Sequence, residues 1–193
     1  DDEIEITRKE LNWEHAPFEI PQDIYDAWNA KDEGAKKEKA WEDLLETYKQ
    51  KYPEESNELE RRFNSEMTHE FNERFDDFLR DCLLQEDPIA TRKASQICLD
   101  HFCADLPELI GGSADLTGSN NTFSKHNTEL TPDNPGGSHI YYGVREFGMV
   151  TIMNGMSLHG GIRPYGGTFL VFMDYARNAV RLSAMMILPN IYV

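Results

Sequence analysis

The first 87 residues show the spacing of apolar positions that is typical of helices. Pro21 can occupy the first turn of a short helix, and apolar side chains recur three or four positions apart from Lys36 to Tyr52. A longer apolar stripe extends from Asn57 to Leu84, and Thr68 is a candidate N-cap that would divide it into two helices. We therefore predict helices that pack on another part of the protein and carry no chemistry of their own.

Beyond Pro88 the pattern changes to short apolar strands that alternate with helices. The predicted order is a helix over 90–104, a strand over 108–114, a polar loop over 115–138, a strand over 139–144, a helix over 145–158, an extended segment RPYGGT, a helix over 169–186 and a final strand NIYV. This alternation predicts a parallel α/β sheet, whose ligands bind beyond the carboxyl ends of the strands. The predicted fold class is α/β, with a helical N-terminal segment (1–87) followed by part of a parallel-sheet domain (88–193).

The composition supports this division and argues against some classes of function. Residues 1–90 contain 27 acidic and 12 basic side chains, whereas residues 91–193 contain 8 and 7. The net charge of −16 argues against a nucleic-acid-binding surface, and a solvated helical surface explains the acidic half better than an acidic docking surface. The sequence has no apolar run of the ~18 residues that a membrane span needs. It lacks an initial methionine and closes on what looks like an interrupted strand, so we expect a piece of a longer protein.

The three cysteines, Cys82, Cys98 and Cys103, show no CxxC spacing. Cys98 and Cys103 lie five positions apart on a predicted helix and therefore do not share a face well. We interpret all three as reduced, mostly buried thiols in a cytosol-like compartment. The sequence offers no Cys/His ligand spacing, which argues against a metal or redox role.

The stretch YYGVREFGM places Arg145 and Glu146 where a predicted strand gives way to a helix. The free amides and the dipole of a helix N-terminus stabilise a carboxylate, whereas burial at a cleft favours its neutral form. Glu146 is therefore a candidate for sharing a proton with a bound base. The residues alone favour a simpler alternative, in which Glu146 is a helix-end acid paired with Arg145.

Aromatic residues follow the double glycine of the RPYGGT segment. Phe169, Phe172 and Tyr175 are spaced three positions apart at the start of a predicted helix. Periodicity alone favours core packing for these side chains. Their position at a strand exit favours a second interpretation, an aromatic wall against which a flat heterocycle could stack.

Two further candidates lie near predicted strand or helix ends. Asp115 follows the GGSA strand, so it should reach the same edge of the sheet as Glu146. Arg92 and Lys93 lie at the start of the helix predicted over 90–104, and an arginine at a helix N-terminus can hold a phosphate group. A solvated surface pair explains Arg92 and Lys93 equally well.

Several motifs resemble those of transketolases, in order and at the right intervals. Those similar to the first part of the family's pyrimidine-binding domain are GGSADLTGSN (111–120), YGVREFGM (142–149), MNGMSLHGG (153–161) and RPYGGTFLVFMDYARNAVRLSA (163–184). ATRKASQ (90–96) resembles the segment before that domain, and APFEIPQDIYDAWNAK resembles the end of the diphosphate-binding domain with its linker. The resemblance covers nearly the whole chain. It implies an enzyme of the pentose phosphate pathway that moves a two-carbon ketol unit from a ketose phosphate to an aldose phosphate.

The resemblance assigns cofactor roles to five of these positions. Glu146 matches the family's essential glutamate, which hydrogen-bonds a ring nitrogen of the aminopyrimidine of thiamine diphosphate and activates the cofactor. Phe169, Phe172 and Tyr175 match the aromatic positions around the pyrimidine ring. Asp115 matches an aspartate near the cofactor's thiazolium region and the dimer contact.

For the substrate, Arg92 and Ser119 match positions that hold the phosphate of sugar-phosphate substrates. The family's GDG motif, which binds Mg²⁺ or Ca²⁺ and anchors the diphosphate, is absent from this sequence. We therefore expect the metal ligands upstream and assign none here. The resemblance also implies a cytoplasmic homodimer with its active site between subunits, and no nucleic-acid or membrane partner.

On this basis the isolated 193-residue chain is expected to be inactive, because half of the cofactor site is missing. Two alternatives remain open. One is a sister enzyme that uses the same cofactor, a dihydroxyacetone synthase or a deoxyxylulose-phosphate synthase. The other, from a different class, is a non-catalytic module that only dimerises.

Overall fold

The computed structural model describes residues 2–193, which form two compact units that divide between Pro53 and Glu54. The first unit is helical and contains α1 (Asp2–Glu10), α2 (Gln22–Trp28) and α3 (Lys31–Lys51). The helix predicted over 36–52 therefore begins five residues earlier than expected. Lys31–Lys51 carries acidic side chains in its first turn and lysines in its last, which complements the helix dipole.

The second unit alternates helices and strands after two leading helices. Its elements are α4 (Pro53–Phe63), α5 (His69–Leu83), α6 (Thr91–Asp105), β1 (Leu109–Ser113), α7 (Thr117–Asn120), β2 (His139–Tyr141), α8 (Glu146–His159), β3 (Arg163–Gly167), a 3-10 turn (Leu170–Phe172), α9 (Met173–Met185) and β4 (Ile191–Tyr192). The predicted division at Thr68 is confirmed, because its side chain accepts a hydrogen bond of 3.0 Å from the Phe71 amide at the start of α5. The predicted boundary near residue 87, between the helical N-terminal segment and the parallel-sheet domain, stays a prediction.

Two details of the predicted elements are wrong. The helix expected from Phe169 begins with a 3-10 turn, so Phe169 lies outside it and α9 starts at Met173. The loop expected over 115–138 contains the short helix α7, and Asn121, the residue that follows it, has a left-handed φ of 54°. Both departures lie just after a strand, the 3-10 turn after β3 and α7 after β1. The backbone turns there before the next element, and the spacing of apolar residues does not predict the kind of turn.

The four strands form one parallel sheet in the order β2-β1-β3-β4. This confirms the predicted α/β class. Ser113 at the end of β1 is level with Tyr141 and Gly167, the last residues of its two neighbours. The strands therefore all end at one edge, and the segments that follow them emerge together.

Helix α8 packs directly on β3 because Gly166 has no side chain. A Cβ at this position would lie 2.5 Å from the Met153 sulfur and 3.0 Å from the Met149 sulfur. Both methionines are fully buried, together with Val150 and with Ala176 of α9. Close packing of this kind fixes α8, and with it the residue at its N-terminus, against the sheet.

A partly buried ion-pair network joins α4 to the start of the sheet. Arg61 donates to both carboxylate oxygens of Glu108, at 2.9 and 3.1 Å, and to both oxygens of Glu58, at 2.7 and 2.8 Å. Glu108 is only 2% exposed, and the Arg163 Nε lies 3.7 Å from it. The helices before residue 88 thus contribute a charged partner to the core of the α/β unit.

We expect acid to weaken this network because it protonates the Glu58 carboxylate. Hydrogen bonds from Arg61, with a smaller contribution from Arg62, lower the pKa of Glu58 from 4.5 to about 2. A carboxylate with a lowered folded-state pKa stabilises the fold above its unfolded pKa, and this contribution is lost as the pH falls through about 2. Urea titrations between pH 6 and about 2 should show stability falling below about pH 4.5. Glu58→Gln should flatten this pH dependence, and an unchanged profile in that variant would contradict the assignment.

Candidate functional site

The carboxyl edge of the sheet carries the residues that the sequence singles out. Asp115 follows β1, Glu146 follows β2 and Phe169 follows β3. Because the three strands are parallel and end level with one another, these segments emerge on the same side of the sheet. The arrangement is the one that the alternating pattern predicts.

A cleft of about 460 Å³ opens beside this edge. It brings together Arg92 from α6, Ser119 from α7 and Phe169 after β3, which are far apart in the sequence. Tyr192 of β4 and Val193, which follows it, also line the cleft. Glu146, Asp115 and the more distal aromatic residues are not among the described residues that line this cleft.

The N-terminus of α6 forms one wall of the cleft. Ala90, Thr91 and Arg92 all line it, and the N-cap Ala90 offers no side-chain acceptor to the first amides of the helix. Free amides and the positive end of the helix dipole favour an anion at this position, and the Arg92 guanidinium adds a formal charge. The cleft is therefore suited to a phosphate group.

Three residues with hydroxyl groups that line the same cleft were not predicted from the sequence. Thr91 and Ser95 lie four positions apart on α6 and both line the cleft, as does Thr168. The Thr168 hydroxyl oxygen is buried and has no hydrogen-bond partner among the described residues. The four-residue spacing of Thr91 and Ser95 was visible in the sequence, whereas the approach of Thr168 depends on the pairing of β1 with β3.

Glu146 is the first residue of α8 and is only 8% exposed. The sequence alternative that paired it with Arg145 is wrong, because the Arg145 guanidinium donates to the Tyr142 carbonyl at 3.0 Å instead. Gly143, with a φ of 68°, permits this, since a Cβ there would lie 2.3 Å from the Arg145 Nη1. Among residues 2–193 the Glu146 carboxylate has no ion-pair or side-chain hydrogen-bond partner.

The carboxylate oxygens of Glu146 are not among the buried unpaired side-chain atoms of residues 2–193, so a group from outside this chain can reach them. Tyr142, which precedes this turn, is also buried, and its hydroxyl has no partner among the described residues. Burial raises the pKa of Tyr142 to about 12, so its hydroxyl stays protonated at neutral pH. Separately from Tyr142, the unpaired Glu146 carboxylate can accept a hydrogen bond from a group that enters from outside this chain.

The aromatic residues form a stacked array rather than part of the core. Phe169 and Phe172 have ring centroids 5.8 Å apart with planes 20° apart, and Phe172 and Tyr175 are 6.2 Å apart with planes 29° apart. Phe169 is 42% exposed and Tyr175 67%. The core-packing interpretation is therefore wrong for Phe169 and Tyr175, whereas Phe172 is partly buried. The exposed rings are free to cover a planar group.

Asp115 adopts an unusual backbone conformation at the end of β1. Its φ is 60°, in the left-handed region, and its side chain is exposed. Aspartate enters this region more easily than most residues, but still at a cost, and such positions cluster at ligand sites. The structure places Asp115 at the same edge as Glu146 without showing a contact between them.

Comparison with known families gives two matches along the chain. The family model described as "Transketolase, pyrimidine binding domain" matches residues 87–193. The model described as "Transketolase, thiamine diphosphate binding domain" matches residues 1–68. The chain is also 51% identical over 192 residues to transketolase 2 of Vibrio parahaemolyticus.

Solved structures show the same likeness. A transketolase of Pichia stipitis in complex with sedoheptulose 7-phosphate aligns with a TM-score of 0.76 and 39% identity, over 92% of this chain and 27% of that one. A transketolase of Leishmania mexicana aligns with a TM-score of 0.77 and 34% identity, over 92% of this chain and 26% of that one. The Vibrio relative is matched over all of this chain but only 29% of its own length. The chain thus spans less than a third of the relatives it matches.

Proposed function

The chain belongs to the transketolase family, and from this premise we propose that it forms part of an enzyme that moves a two-carbon ketol unit from a ketose phosphate to an aldose phosphate. In this proposal residues 1–87 end the diphosphate-binding domain and include the linker, and residues 88–193 begin the pyrimidine-binding domain. The complete active site needs the rest of the relatives' length. We expect the 193-residue chain alone to be inactive.

The observation that carries the proposal is the cleft that joins Arg92, Ser119 and the N-terminus of α6. Its guanidinium, hydroxyl and free amides are the donors that bind a phosphate group well. The carboxyl edge of the sheet lies beside it, so a sugar phosphate held there by its phosphate group would extend towards the residues that follow the strands. We infer that Arg92 and Ser119 bind the phosphate of the substrate.

The residues at the sheet edge fit the pyrimidine half of thiamine diphosphate. Glu146 is only 8% exposed and its carboxylate has no partner within residues 2–193, which leaves it available for a hydrogen bond to a ring nitrogen. Phe169, Phe172 and Tyr175 offer stacked rings for a planar group. When bound, the cofactor supplies a nucleophilic carbon that no amino-acid side chain provides. Glu146 would hold a proton in a hydrogen bond to the ring, and the aromatic array would orient the ring and exclude water.

The remaining parts of the site are proposed to lie outside this chain. Residues 2–193 contain no group of three or more His, Cys, Asp or Glu side chains that could hold a metal ion. We propose that Mg²⁺ or Ca²⁺ is bound with the diphosphate by residues of the diphosphate-binding domain upstream. We also propose a cytoplasmic homodimer with the site between subunits and Asp115 near the contact. None of the helices over residues 2–193 is long and apolar enough to cross a membrane.

Among the alternatives, the phosphate-binding character of the cleft argues against substrates that lack a phosphate group. The relatives found at about half identity are named transketolase, which favours this activity over that of a sister enzyme. A non-catalytic module would bind no cofactor even at the relatives' full length. Titrating thiamine diphosphate into a chain of that length, followed by calorimetry, would separate an enzyme from such a module.

Arg92→Ala in a chain of the relatives' full length should raise KM for a ketose phosphate by roughly 10- to 100-fold. The reason is the loss of a charge-assisted hydrogen bond to phosphate, which is worth about 1.5–3 kcal/mol. The KM for a donor without a phosphate group should change by less than about twofold, because the interaction is made only to phosphate. Steady-state kinetics with both donors measures the difference.

Lys93→Ala is the matched control for this experiment. Lys93 carries the same charge one residue away, but its Nζ donates to Gln96 at 2.9 Å and it is not among the residues that line the cleft. Its KM values should match those of the unmodified protein. If Arg92→Ala raised KM equally for donors with and without phosphate, the assignment of Arg92 would be wrong.

A further inference from the structure

A second cleft, of about 540 Å³, lies between helices α5 and α6 on the helical side of the α/β unit. Its walls are mainly apolar, and a cysteine stands on each helix. The residues that matter here are Phe78 and Cys82 of α5, Ile89 of the connecting segment, and Ala94, Ile97 and Cys98 of α6. None of them lines the cleft at Arg92, so this site is separate from the proposed active site.

The register of the two helices places the two cysteines on facing turns, and both line the same cleft. Arg74 pairs with Asp105, and the rings of Phe78 and His101 stack with centroids 4.2 Å apart. From one pair to the next, both contacting residues lie closer to the segment that connects α5 and α6. This is the arrangement of an antiparallel helix pair. One turn beyond Phe78 on α5 is Cys82, and one turn before His101 on α6 is Cys98. Sequence spacing could not show this, because the two thiols lie on different helices.

The two thiols differ in exposure, and Cys82 affects the pKa of Cys98. Cys82 is exposed and Cys98 is half-buried, so the expectation of mostly buried thiols is wrong for Cys82. Burial raises the pKa of the Cys98 thiol, and the nearby charge of a Cys82 thiolate raises it further. At neutral pH the pair therefore keeps a proton on Cys98, while Cys82 remains accessible to reagents.

We propose that Cys82 and Cys98 form a dithiol site for a trivalent organoarsenical, R–As=O, whose apolar group R occupies the cleft. Two As–S bonds form in the condensation, and the two thiol protons leave with the arsenoxide oxygen as one molecule of water. Arsenic stays trivalent and both sulfurs keep their oxidation state, so no oxidant or reductant is needed. Phe78, Ile89 and Ile97 supply the apolar surface that covers R.

Cys103 offers an internal comparison. It lies on α6 like Cys98, but it is not among the residues that line the dithiol cleft. Burial raises its pKa to about 11, which keeps its thiol protonated and unreactive. A reagent that merely attacks any accessible thiol would select Cys82 alone, whereas a dithiol site consumes Cys82 and Cys98 together.

The test adds phenylarsine oxide to a chain of the relatives' full length, followed by peptide mapping under non-reducing conditions. The expected product joins the Cys82 and Cys98 peptides through one arsenic atom and has lost one water. Excess monothiol should remove the arsenical roughly 10²-fold faster from Cys82→Ser and from Cys98→Ser than from the unmodified protein, because a second attachment acts at high effective concentration. Cys103→Ser should behave like the unmodified protein.

The apolar part of the proposal is tested by comparing two arsenicals. Phenylarsine oxide should be retained about tenfold better than methylarsine oxide, because burial of the ring is favourable. Ile97→Ser should reduce that ratio while leaving the bridged product in place. Equal removal by monothiol from the unmodified protein and Cys98→Ser, a product that contains Cys103, or no adduct at all would overturn the proposal. An equal retention of the two arsenicals would overturn the role of the cleft.

Discussion

Glu146→Gln in a chain of the relatives' full length is expected to lower turnover by roughly 10²- to 10⁴-fold, the range typical of a lost acid–base group. Glutamine has almost the same shape and stays neutral, so the packing of Met149 and Met153 behind it should be preserved. What is lost is the carboxylate that can hold or accept a proton. Glu146 is 8% exposed and unpaired among residues 2–193, so no neighbouring side chain can replace it.

The measurement should separate binding from turnover. Calorimetry of thiamine diphosphate binding and steady-state kinetics with a ketose phosphate would be recorded on the same preparations. We expect turnover to fall far more than cofactor affinity, because the pyrimidine is also held by the aromatic array in our proposal. Turnover within about twofold of the unmodified protein would contradict the proposed role of Glu146.

Glu70→Gln is a matched control for the charge at a helix end. Glu70 lies in the first turn of α5, as Glu146 lies in the first turn of α8, but it is exposed. Loss of a favourable interaction with the helix dipole should cost about 0.3–1 kcal/mol of stability in either helix. Only Glu146→Gln should lower turnover. A similar loss of turnover in both variants would indicate that helix stability, and not proton chemistry, underlies the effect.

The sheet edge could be predicted from the sequence because it depends on chain order. Strands that alternate with helices must run parallel, and parallel strands end at one edge, so Asp115, Glu146 and Phe169 had to emerge together. The helix split at Thr68 was predictable for a local reason, since an N-cap acts on an amide three residues away. Both inferences need only the order and the spacing of residues.

The contacts that distinguish one chemical role from another were not predictable in this way. The sequence suggested that Arg145 pairs with Glu146, but a positive φ at Gly143 turns the guanidinium towards the Tyr142 carbonyl. Periodicity placed Phe169, Phe172 and Tyr175 in a core, yet a helical stripe reports only which side chains share a face. Whether that face is covered depends on the elements that surround it.

Arg61→Ala should lower the free energy of unfolding of the unit Glu54–Val193 by about 3–5 kcal/mol, the cost of breaking a buried ion pair by removing one partner. Glu108 is 2% exposed and would lose two hydrogen bonds of 2.9 and 3.1 Å, while the Arg163 Nε at 3.7 Å is too far away to replace them. Urea denaturation followed by circular dichroism measures the loss. The three tryptophans, Trp13, Trp28 and Trp41, all precede Pro53, so their fluorescence reports the first unit separately.

Arg62→Ala is the control, because Arg62 donates only to Glu58, at 2.6 Å, and is partly exposed. Its loss should cost no more than about 1 kcal/mol. The double variant Arg61→Leu/Glu108→Leu should recover much of the stability lost in Arg61→Ala, since removing both buried charges leaves neither one unpaired. If Arg61→Ala and Arg62→Ala were equally destabilised, Arg61 would be acting as a surface charge. The helix α4 would then not be anchored to the sheet through Glu108.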